Sequence, residues 1–279
     1  MSGGSTYALP TGQISLNEMH VEAGGGSGAQ SSINDADIRS LIGKGSAVQM
    51  SFSEWHGASA DMEFVSWKQT VTTNPTGTKR RVDLGSLGIQ TGDLVFVCSI
   101  AQGIGEVWPG PASTAGWTAC DANQGYNNWQ TSFRYYKKMG STVDSVFEYT
   151  VVEESWKHGY QHPAIVAVFR NTGASPTNSS YYQENNQRLD FTPGAIAVSK
   201  SDSLHVIVAT RAGFGSANAK TGWTKLEYVI SVSQGGSGYT NGCFIWYKIG
   251  VNPSSSNIGV VTWPTGYARI NSAQLIFNK

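Results

Sequence analysis

Short apolar runs separated by polar turn residues dominate the chain from Gly92 onward. The runs are rich in Val, Ile, Phe, Tyr and Trp, and clusters of Gly, Asn, Pro and Ser interrupt them. Runs of this length and composition predict β-strands, and no segment after Gly92 keeps a helical period over a useful length. The predicted strands are 93–101, 116–120, 130–138, 145–152, 163–170, 187–191, 194–198, 203–210, 222–230, 242–249, 258–262 and 270–278. The pattern predicts an all-β sandwich.

The strand pattern is written twice, at about 92–171 and again at about 201–279. The matching residues are Leu94 and Leu204, Trp117 and Trp223, Tyr136 and Tyr247, Phe169 and Phe277, at offsets of 110, 106, 111 and 108 residues. The same order at a nearly constant offset indicates an internal duplication. Two sandwiches or one fit this pattern. Because five strands per half are few for a separate core, we expect one jelly-roll-like sandwich over 61–279, with the halves interleaved.

Residues 1–60 have a different texture and form a predicted N-terminal arm. Three phrases recur, 14–20, 32–38 and 50–56, and each sets Ser or Asn just before an acidic residue. Such pairs cap helix N-termini, so we predict short helical turns at 16–20, 34–42 and 52–56. The glycine-rich stretches between them cannot build a core, so we expect the arm to lie against a partner or, alternatively, on its own body. The predicted attachment residues are Leu16, Met19, Ile33, Ile38, Phe52 and Trp55.

Composition argues against several classes of partner. The chain has 279 residues, 19 basic and 19 acidic, and only 14% of its residues are charged. This balance predicts no attraction to nucleic acid or to anionic membranes. The only dense basic run, 79–81, is interpreted as a solvated edge ahead of a strand. A surface of Gly, Ser, Thr, Asn and Gln is typical of extracellular or particle-borne β proteins.

The cysteine spacing, the start of the sequence and the length of the apolar runs bear on cofactors, compartment and membrane insertion. Three cysteines without a Cys-x-x-Cys spacing indicate neither a disulfide framework nor a zinc site, and Cys98 is interpreted as a small core residue. The sequence begins without a basic or apolar leader, and no run of about 18 apolar residues predicts a membrane span. We therefore predict synthesis in a cytoplasm, with no cofactor and no membrane insertion.

One stretch could bind a metal ion. His158 and His162 would share a face if 153–162 were helical, but Gly159 and Pro163 argue against a helix, so an exposed loop is the better interpretation. His205 alternates with apolar residues and is predicted to be a buried strand histidine. No Gly-x-Ser-x-Gly motif occurs, and no Ser/His/Asp set can be assembled, so the sequence does not predict an enzyme.

Aromatic residues in predicted connections are candidates for surface recognition. Flat rings beside amide and hydroxyl groups suit sugars or protein surfaces. An alternative is that several of these rings cover the ends of the sandwich. The candidates are Trp108, Tyr126, Trp129, Trp156, Tyr160, Tyr181, Tyr182 and Tyr239. By contrast, the aromatic residues that recur in both copies, such as Trp117 and Trp223, are predicted to pack in the core.

The three phrases of the arm, in this order, resemble an N-terminal signature of tailed-bacteriophage virion proteins that precedes tail-fibre or tail-tip β domains. The body is similar to a duplicated module with Gly-Asp-Leu, Gly-Trp-Thr, Tyr-Tyr-Lys and Ala-Val-Phe-Arg found in phage structural proteins. Trp55-His56 stands where Trp-Tyr is more usual in the signature. The resemblance implies an attachment arm and an outward-facing sandwich, and it supplies no catalytic residues.

From these features we expect a virion structural protein, a tail-fibre, tail-tip or decoration component. Its expected partners are other virion proteins, further copies of itself in a trimer, and host surface glycans. Two alternatives are a carbohydrate-active depolymerase and a ligand-free cement protein. The first needs paired carboxylates in a cleft, whereas the adjacent Glu153 and Glu154 would point to opposite faces of a strand.

Overall fold

The computed structural model describes residues 15–23, 27–45, 48–55, 62–72, 79–102, 116–120, 126–127, 130–150, 162–188, 190–199, 203–213, 216–234, 237–250, 254–263 and 268–278. Its helices are α1 (Leu16–Glu22) and α2 (Ala36–Ser40), followed by a 3₁₀ turn (Phe52–Trp55). The strands are β1 (Glu63–Val71), β2 (Lys79–Asp83), β3 (Leu94–Gln102), β4 (Thr118–Ala119), β5 (Tyr126–Asn127), β6 (Gln130–Lys138), β7 (Val146–Thr150), β8 (Pro163–Arg170), β9 (Asn178–Arg188), β10 (Asp190–Phe191), β11 (Ile196–Val198), β12 (Ser203–Ala212), β13 (Thr224–Gln234), β14 (Ser237–Ile249), β15 (Ser254–Ser256), β16 (Val261–Thr262) and β17 (Ala268–Asn278).

The chain divides into two compact units, an N-terminal unit (Met1–Glu63) and a body (Phe64–Lys279). Each of the three predicted helical turns of the N-terminal unit is confirmed by a helix or 3₁₀ turn at that place. The body is built from antiparallel β-sheets, which confirms the predicted all-β class. Each strand predicted from Gly92 onward overlaps a strand of the structure.

Two large sheets form the centre of the body. The first main sheet has the order β1-β8-β3-β6-β4, with β5 on β6, and the second has the order β13-β14-β12-β17-β9. All strands of the first main sheet precede residue 171, and all strands of the second follow residue 177. The predicted interleaving of the halves is therefore wrong. Each half forms a main sheet of its own, and most neighbouring strands in it are not consecutive along the chain.

The two main sheets are built alike, ladder for ladder. Leu94 pairs with Phe169 in the first sheet, and Leu204 pairs with Phe277 in the second. The residue pair Thr118–Tyr136 likewise has its counterpart in Thr224–Tyr247. These paired residues are the ones that match between the two halves of the sequence, so the proposed duplication predicts the observed registers. That the two halves arose by duplication stays our inference.

The repeated Gly-Trp-Thr has a backbone reason. Gly116 and Gly222 have φ of 84° and 74°, in the left-handed region that strains other residues. This conformation turns the chain into β4 and β13, immediately after Trp117 and Trp223. A turn of the same shape thus begins an outer strand in both main sheets.

Smaller sheets cover the outer face of each main sheet. In the first half, β2 pairs with β7, and Val82, Phe147 and Tyr149 pack in one buried cluster with residues of β3, β6 and β8. In the second half, β10 pairs with β16, and Phe191 and Val261 pack with residues of β12, β14 and β17. A third small sheet, β11 with β15, buries Ile196 and Val198 against Ile276. Each half therefore has a hydrophobic core of its own, contrary to the expectation that five strands are too few.

The inner faces of the main sheets pack against each other. Phe96 lies 5.7 Å from Phe277, and Phe169 lies 5.1 Å from Tyr247, between ring centroids. Both faces of each main sheet are thus buried, which explains the unbroken buried stretch in β8 and β12. The aromatic residues that contact each other across the sheets bury much of the apolar surface of this inner core.

Candidate functional site

Hydrogen bonds between a serine and an acidic residue three positions later organise the N-terminal unit. At the start of α1, the Ser15 backbone N–H donates to the Glu18 carboxylate at 2.6 Å, and the Glu18 N–H donates to the Ser15 hydroxyl at 3.2 Å. The Ser51 N–H donates to Glu54 at 2.6 Å in the same way before the 3₁₀ turn. Ser15 and Glu18 form a capping box, and the 3₁₀ turn has one of its two hydrogen bonds at the same serine-to-acid spacing. Hydrogen bonds from Ser15 lower the pKa of Glu18.

Before α2, the Ser32 N–H donates to the carboxylate of Asp35 at 2.7 Å. Asp35 is the N-cap residue of this helix, and its side chain makes no capping hydrogen bond to the helix. Behind it, the buried Arg39 guanidinium closes the following loop by donating to the carbonyl oxygens of Gly45, at 2.8 Å from Nε, and Val48, at 2.6 Å from Nη2. A single arginine thus satisfies backbone acceptors of the loop that follows the short helix.

The apolar residues of the three phrases pack on one another. Met19, Ile38, Leu41 and Trp55 form a buried cluster. The segment therefore has a small buried cluster of its own, and the expected contact of the arm with a partner stays a prediction. Three of the predicted attachment residues, Met19, Ile38 and Trp55, are fully buried in this way.

The remaining attachment residues divide into different environments. Ile33 packs at the edge of the cluster, whereas Leu16 is 36% exposed. The side chain of Phe52 lies outside the described part of the structure. Val48, which the sequence did not single out, is 47% exposed. Leu16 and Val48 are the large apolar side chains that the described part of this unit presents to solvent.

At one end of the body, the inner core between the main sheets becomes polar; we call this the polar end. It is formed by Ser132, Arg134, Tyr181, Thr210 and Asn271. The Ser132 and Thr210 hydroxyls are hydrogen-bonded to each other across the sheets, and the Asn271 amide donates to Ser132 at 3.2 Å. The Arg134 guanidinium donates to the Thr210 hydroxyl at 3.4 Å. A connected network keeps these buried groups satisfied.

Aromatic rings flank the two buried arginines near this end. The Arg134 guanidinium lies 5.9 Å from the ring centre of Tyr181, and the Arg211 guanidinium lies 4.6 Å from that of Trp263. Both distances are within the range of cation–π contacts. Burial lowers the pKa of Arg211 to about 10, so the side chain is still cationic at neutral pH. Neither arginine could be singled out from the sequence, since each lies singly within an apolar strand.

The structure corrects the placement of four candidate recognition residues. Tyr181 and Tyr182 lie in β9, Tyr126 lies in β5 and Tyr239 lies in β14, and none of the four lies in a connection. The Tyr181 hydroxyl donates to Asn271 at 3.4 Å, and the Tyr182 ring packs 5.8 Å from Phe191. Both half-buried rings therefore serve packing, as the alternative interpretation proposed. Although its sequence is long and polar, β9 is a strand that pairs with β17 through backbone hydrogen bonds.

Four further candidates, Trp108, Trp129, Trp156 and Tyr160, lie outside the described residues. β3 ends and β8 begins at the polar end, as the pairing of Ser99 with Ala164 requires. The segments that contain Trp108 and Trp156 are joined to these strands. The polar network therefore lies at the end of the body where β3 ends and β8 begins.

The candidate metal ligands do not form a metal site in the described structure. His158 lies outside the described residues. His162 is buried, not in an exposed loop, and burial lowers its pKa to about 3. Within the described ranges, no group of three His, Cys, Asp or Glu side chains could hold a metal ion. A neutral, buried imidazole is the ordinary state of such a histidine.

Two other interpretations are decided by the structure. His205 is a buried strand histidine, as predicted: its Nδ1 lies 2.7 Å from the Ser256 hydroxyl, and burial lowers its pKa to about 4. The basic run is only partly a solvated edge. Arg80 is buried, while Lys79 and Arg81 each lie 2.7 Å from the Glu148 carboxylate on the neighbouring strand.

Comparisons of the chain with protein-family models, with curated proteins and with solved structures found no match. Among the described residues, no helix is long and apolar enough to cross a membrane.

Proposed function

We propose that this chain is a structural protein of a tailed-bacteriophage virion, in which the N-terminal unit attaches the protein and the body is displayed. The observation that carries the proposal is the division into a small capped unit and a large β body. The order of the three phrases is the part of the sequence that resembles virion attachment segments, and in each phrase a serine N–H donates to an acidic side chain three positions later.

The N-terminal unit suits attachment because its fold is small and local. Among its described residues the buried cluster is small, so neighbouring subunits can contribute a large share of its stability. Leu16 and Val48 offer apolar contacts to such a neighbour. We propose that the neighbour is a further copy of this chain in a trimer or another virion protein, and particle symmetry favours closed oligomers.

The body suits display because both faces of its main sheets are covered. Covered sheets give rigid strand ends, and rigid ends can hold long connecting segments for recognition. We propose that the segments joined to the polar end bind host surface glycans through their aromatic residues, among them Trp108 and Trp156. Stacking of a sugar ring on an aromatic face needs no catalytic group.

The virion assignment is tested on particles from cells in which a phage carrying this gene grows. The expected result is that mass spectrometry finds the chain in purified particles, and that antibodies to the body label the outside of intact particles. A chain that stays in the soluble fraction of the lysate and is absent from the particles would overturn the assignment.

The glycan proposal is tested with an array of bacterial surface polysaccharides and the full-length protein. We expect the protein to bind a polysaccharide, and Trp108→Ala or Trp156→Ala should weaken this binding at least tenfold. The reason is that stacking of a sugar ring on an aromatic side chain contributes about 1 kcal/mol or more. Trp67→Ala is the matched control, since Trp67 is an exposed tryptophan of β1. No binding to any polysaccharide would favour a cement protein, and shortening of a bound polysaccharide would favour a depolymerase.

A further inference from the structure

Two of the three cysteines approach each other between the main sheets. Cys98 belongs to β3 of the first main sheet, and Cys243 belongs to β14 of the second. Both side chains are fully buried, and all three cysteines of the chain are free thiols. The two residues come from different halves of the duplicated body, at positions that do not correspond in the two copies.

The contacts of the two thiols are reciprocal. Cys98 Sγ lies 3.4 Å from the carbonyl oxygen of Ala209, and the next residue, Thr210, pairs directly with Cys243. Cys243 Sγ lies 3.2 Å from the carbonyl oxygen of Pro163. The next residue, Ala164, pairs with Ser99, the neighbour of Cys98. Each sulfur therefore reaches the opposite sheet beside the strand position from which the other sulfur comes.

The two thiols are neighbours in this interface, since Cys98 is, after burial, among the groups that raise the pKa of Cys243. Burial raises the pKa of Cys243, so the thiol form is favoured while the interface is closed. Cys120 is placed differently. Its backbone N–H donates to the Arg134 carbonyl oxygen at 2.8 Å, at the outer edge of β6. It therefore offers an internal control for any reaction of the pair.

We propose that Cys98 and Cys243 form a latent disulfide site that joins the two halves of the body when the protein meets an oxidising small-molecule disulfide. The inference rests on the geometry of the thiols and not on the proposed function. A protein that is made in a reducing cytoplasm and later exposed outside the cell would carry the pair reduced at first and oxidised afterwards.

The reaction is a thiol–disulfide exchange in two steps. In a transient opening of the sheet interface, one cysteine loses its proton and its thiolate attacks a sulfur of glutathione disulfide. A protein–glutathione disulfide forms and one glutathione thiolate leaves. The second cysteine then attacks the protein sulfur and expels the second glutathione. Two protein thiols are oxidised, and one glutathione disulfide is reduced to two thiols.

The link would stabilise the body by restricting its unfolded chain, since residues 98 and 243 enclose most of its strands. Disulfides that close loops of this length raise the midpoint of thermal unfolding by about 10 °C in a body of this size. Strain would lower this gain if the two backbones were too far apart for a disulfide.

The test equilibrates the reduced full-length protein with glutathione disulfide in moderate urea, so that opening of the interface is not limiting. Free thiols are then alkylated and the peptides are mapped by mass spectrometry. The expected result is a Cys98–Cys243 link in the wild type and in Cys120→Ser, with the midpoint of thermal unfolding about 10 °C higher than in the reduced protein. Cys98→Ala and Cys243→Ala should give no link.

Three results would overturn the inference: thiols that all remain free in urea, links or glutathione adducts that favour Cys120, and a linked protein whose midpoint is no higher than that of the reduced protein. Cys120→Ser keeps only the proposed pair, so its peptide map decides the question even if the alanine variants fail to fold.

Discussion

The N-terminal unit and the body differ in how far apart in sequence their hydrogen-bonded residues lie. In the N-terminal unit, each cap joins residues three positions apart, and Arg39 reaches only as far as Val48. In the body, the Asn271 amide bonds to the Ser132 hydroxyl across 139 positions of sequence. Local contacts form a small unit that can fold or attach by itself, whereas long-range strand pairing makes the body a cooperative whole.

The largest effect is expected from opening the inner core of the body. Phe96 lies 5.7 to 5.9 Å from Phe277, Tyr136 and Phe169, between ring centroids, and is fully buried. Phe96→Ala should lower the free energy of unfolding of the body by about 3–5 kcal/mol, measured by urea denaturation. Trp67→Ala, at an exposed ring, should lower it by less than about 1 kcal/mol. Similar losses in both variants would show that the sheets do not depend on this cluster.

Acid should weaken the body through its buried histidines. The pKa values of His162 and His205 fall to about 3 and about 4 in the folded state, because burial disfavours their charged forms. The unfolded chain takes up these protons near pH 6.5, so stability present above pH 6.5 is lost as the pH falls toward 4. At pH 4.5 each histidine should cost about 2–3 kcal/mol.

His205→Gln isolates one of these contributions. Urea denaturation at pH 7.0, 5.5 and 4.5 should give a smaller fall in stability for the variant than for the wild type. An equal fall in both proteins would mean that His205 is already charged in the folded state.

A smaller loss of stability is expected at a position where the two halves use different polar pairs. In the first half, Arg170 Nε donates to the buried Asp93 carboxylate at 2.8 Å. At the corresponding place in the second half, the Ser203 hydroxyl donates to the Asn278 amide oxygen at 2.7 Å. Arg170→Asn leaves the buried carboxylate without this partner and should cost about 2 kcal/mol.

The double variant Asp93→Ser, Arg170→Asn transplants the neutral pair into the first half. It should recover part of the stability lost in Arg170→Asn, as measured by urea denaturation. A double variant that is less stable than the single one would show that the halves are not interchangeable at this position.

The smallest effect belongs to the N-terminal unit. Ser15→Ala removes the hydroxyl that accepts the Glu18 N–H and should destabilise α1 by about 1 kcal/mol, seen as roughly fivefold faster amide hydrogen exchange in residues 19–23. The control is Ser27→Ala, which changes an exposed serine outside the caps. Exchange in the strands of the body should be the same in both variants. Faster exchange throughout the body would contradict the separation of the two units.

The strands and caps could be predicted from the sequence because their signals are local. Alternating or continuous apolar runs mark the strands, and Ser or Asn directly before an acid marks the helical turns, although the observed N-cap of α1 is Ser15, three positions before Glu18. The registers of the main sheets also follow from the matched residues, such as Leu94 and Phe169. β9 was missed over most of its length because an outer strand rich in Asn, Gln and Ser lacks the apolar signal and is fixed by its pairing with β17.

The arrangement of layers and the candidate site could not be predicted in the same way. The strands of the two halves could share sheets or form two sheets that face each other. The observed arrangement depends on contacts between the sheets, such as Phe169 with Tyr247, which no local pattern encodes. Arg134 and Arg211 read as single charges in apolar strands, although they lie buried beside aromatic rings. The approach of Cys98 to Cys243 likewise appears only when both halves are in place.

The most direct test of the central claim compares the full-length chain with a chain that begins at Met62. Light scattering measures the oligomeric state, and circular dichroism with thermal unfolding measures the fold. The account predicts that the full-length protein assembles, while the shortened protein is a folded β monomer with the same midpoint as the body in the full chain. A shortened protein that is unfolded, or that assembles as the full chain does, would contradict the assignment of attachment to the N-terminal unit and display to the body.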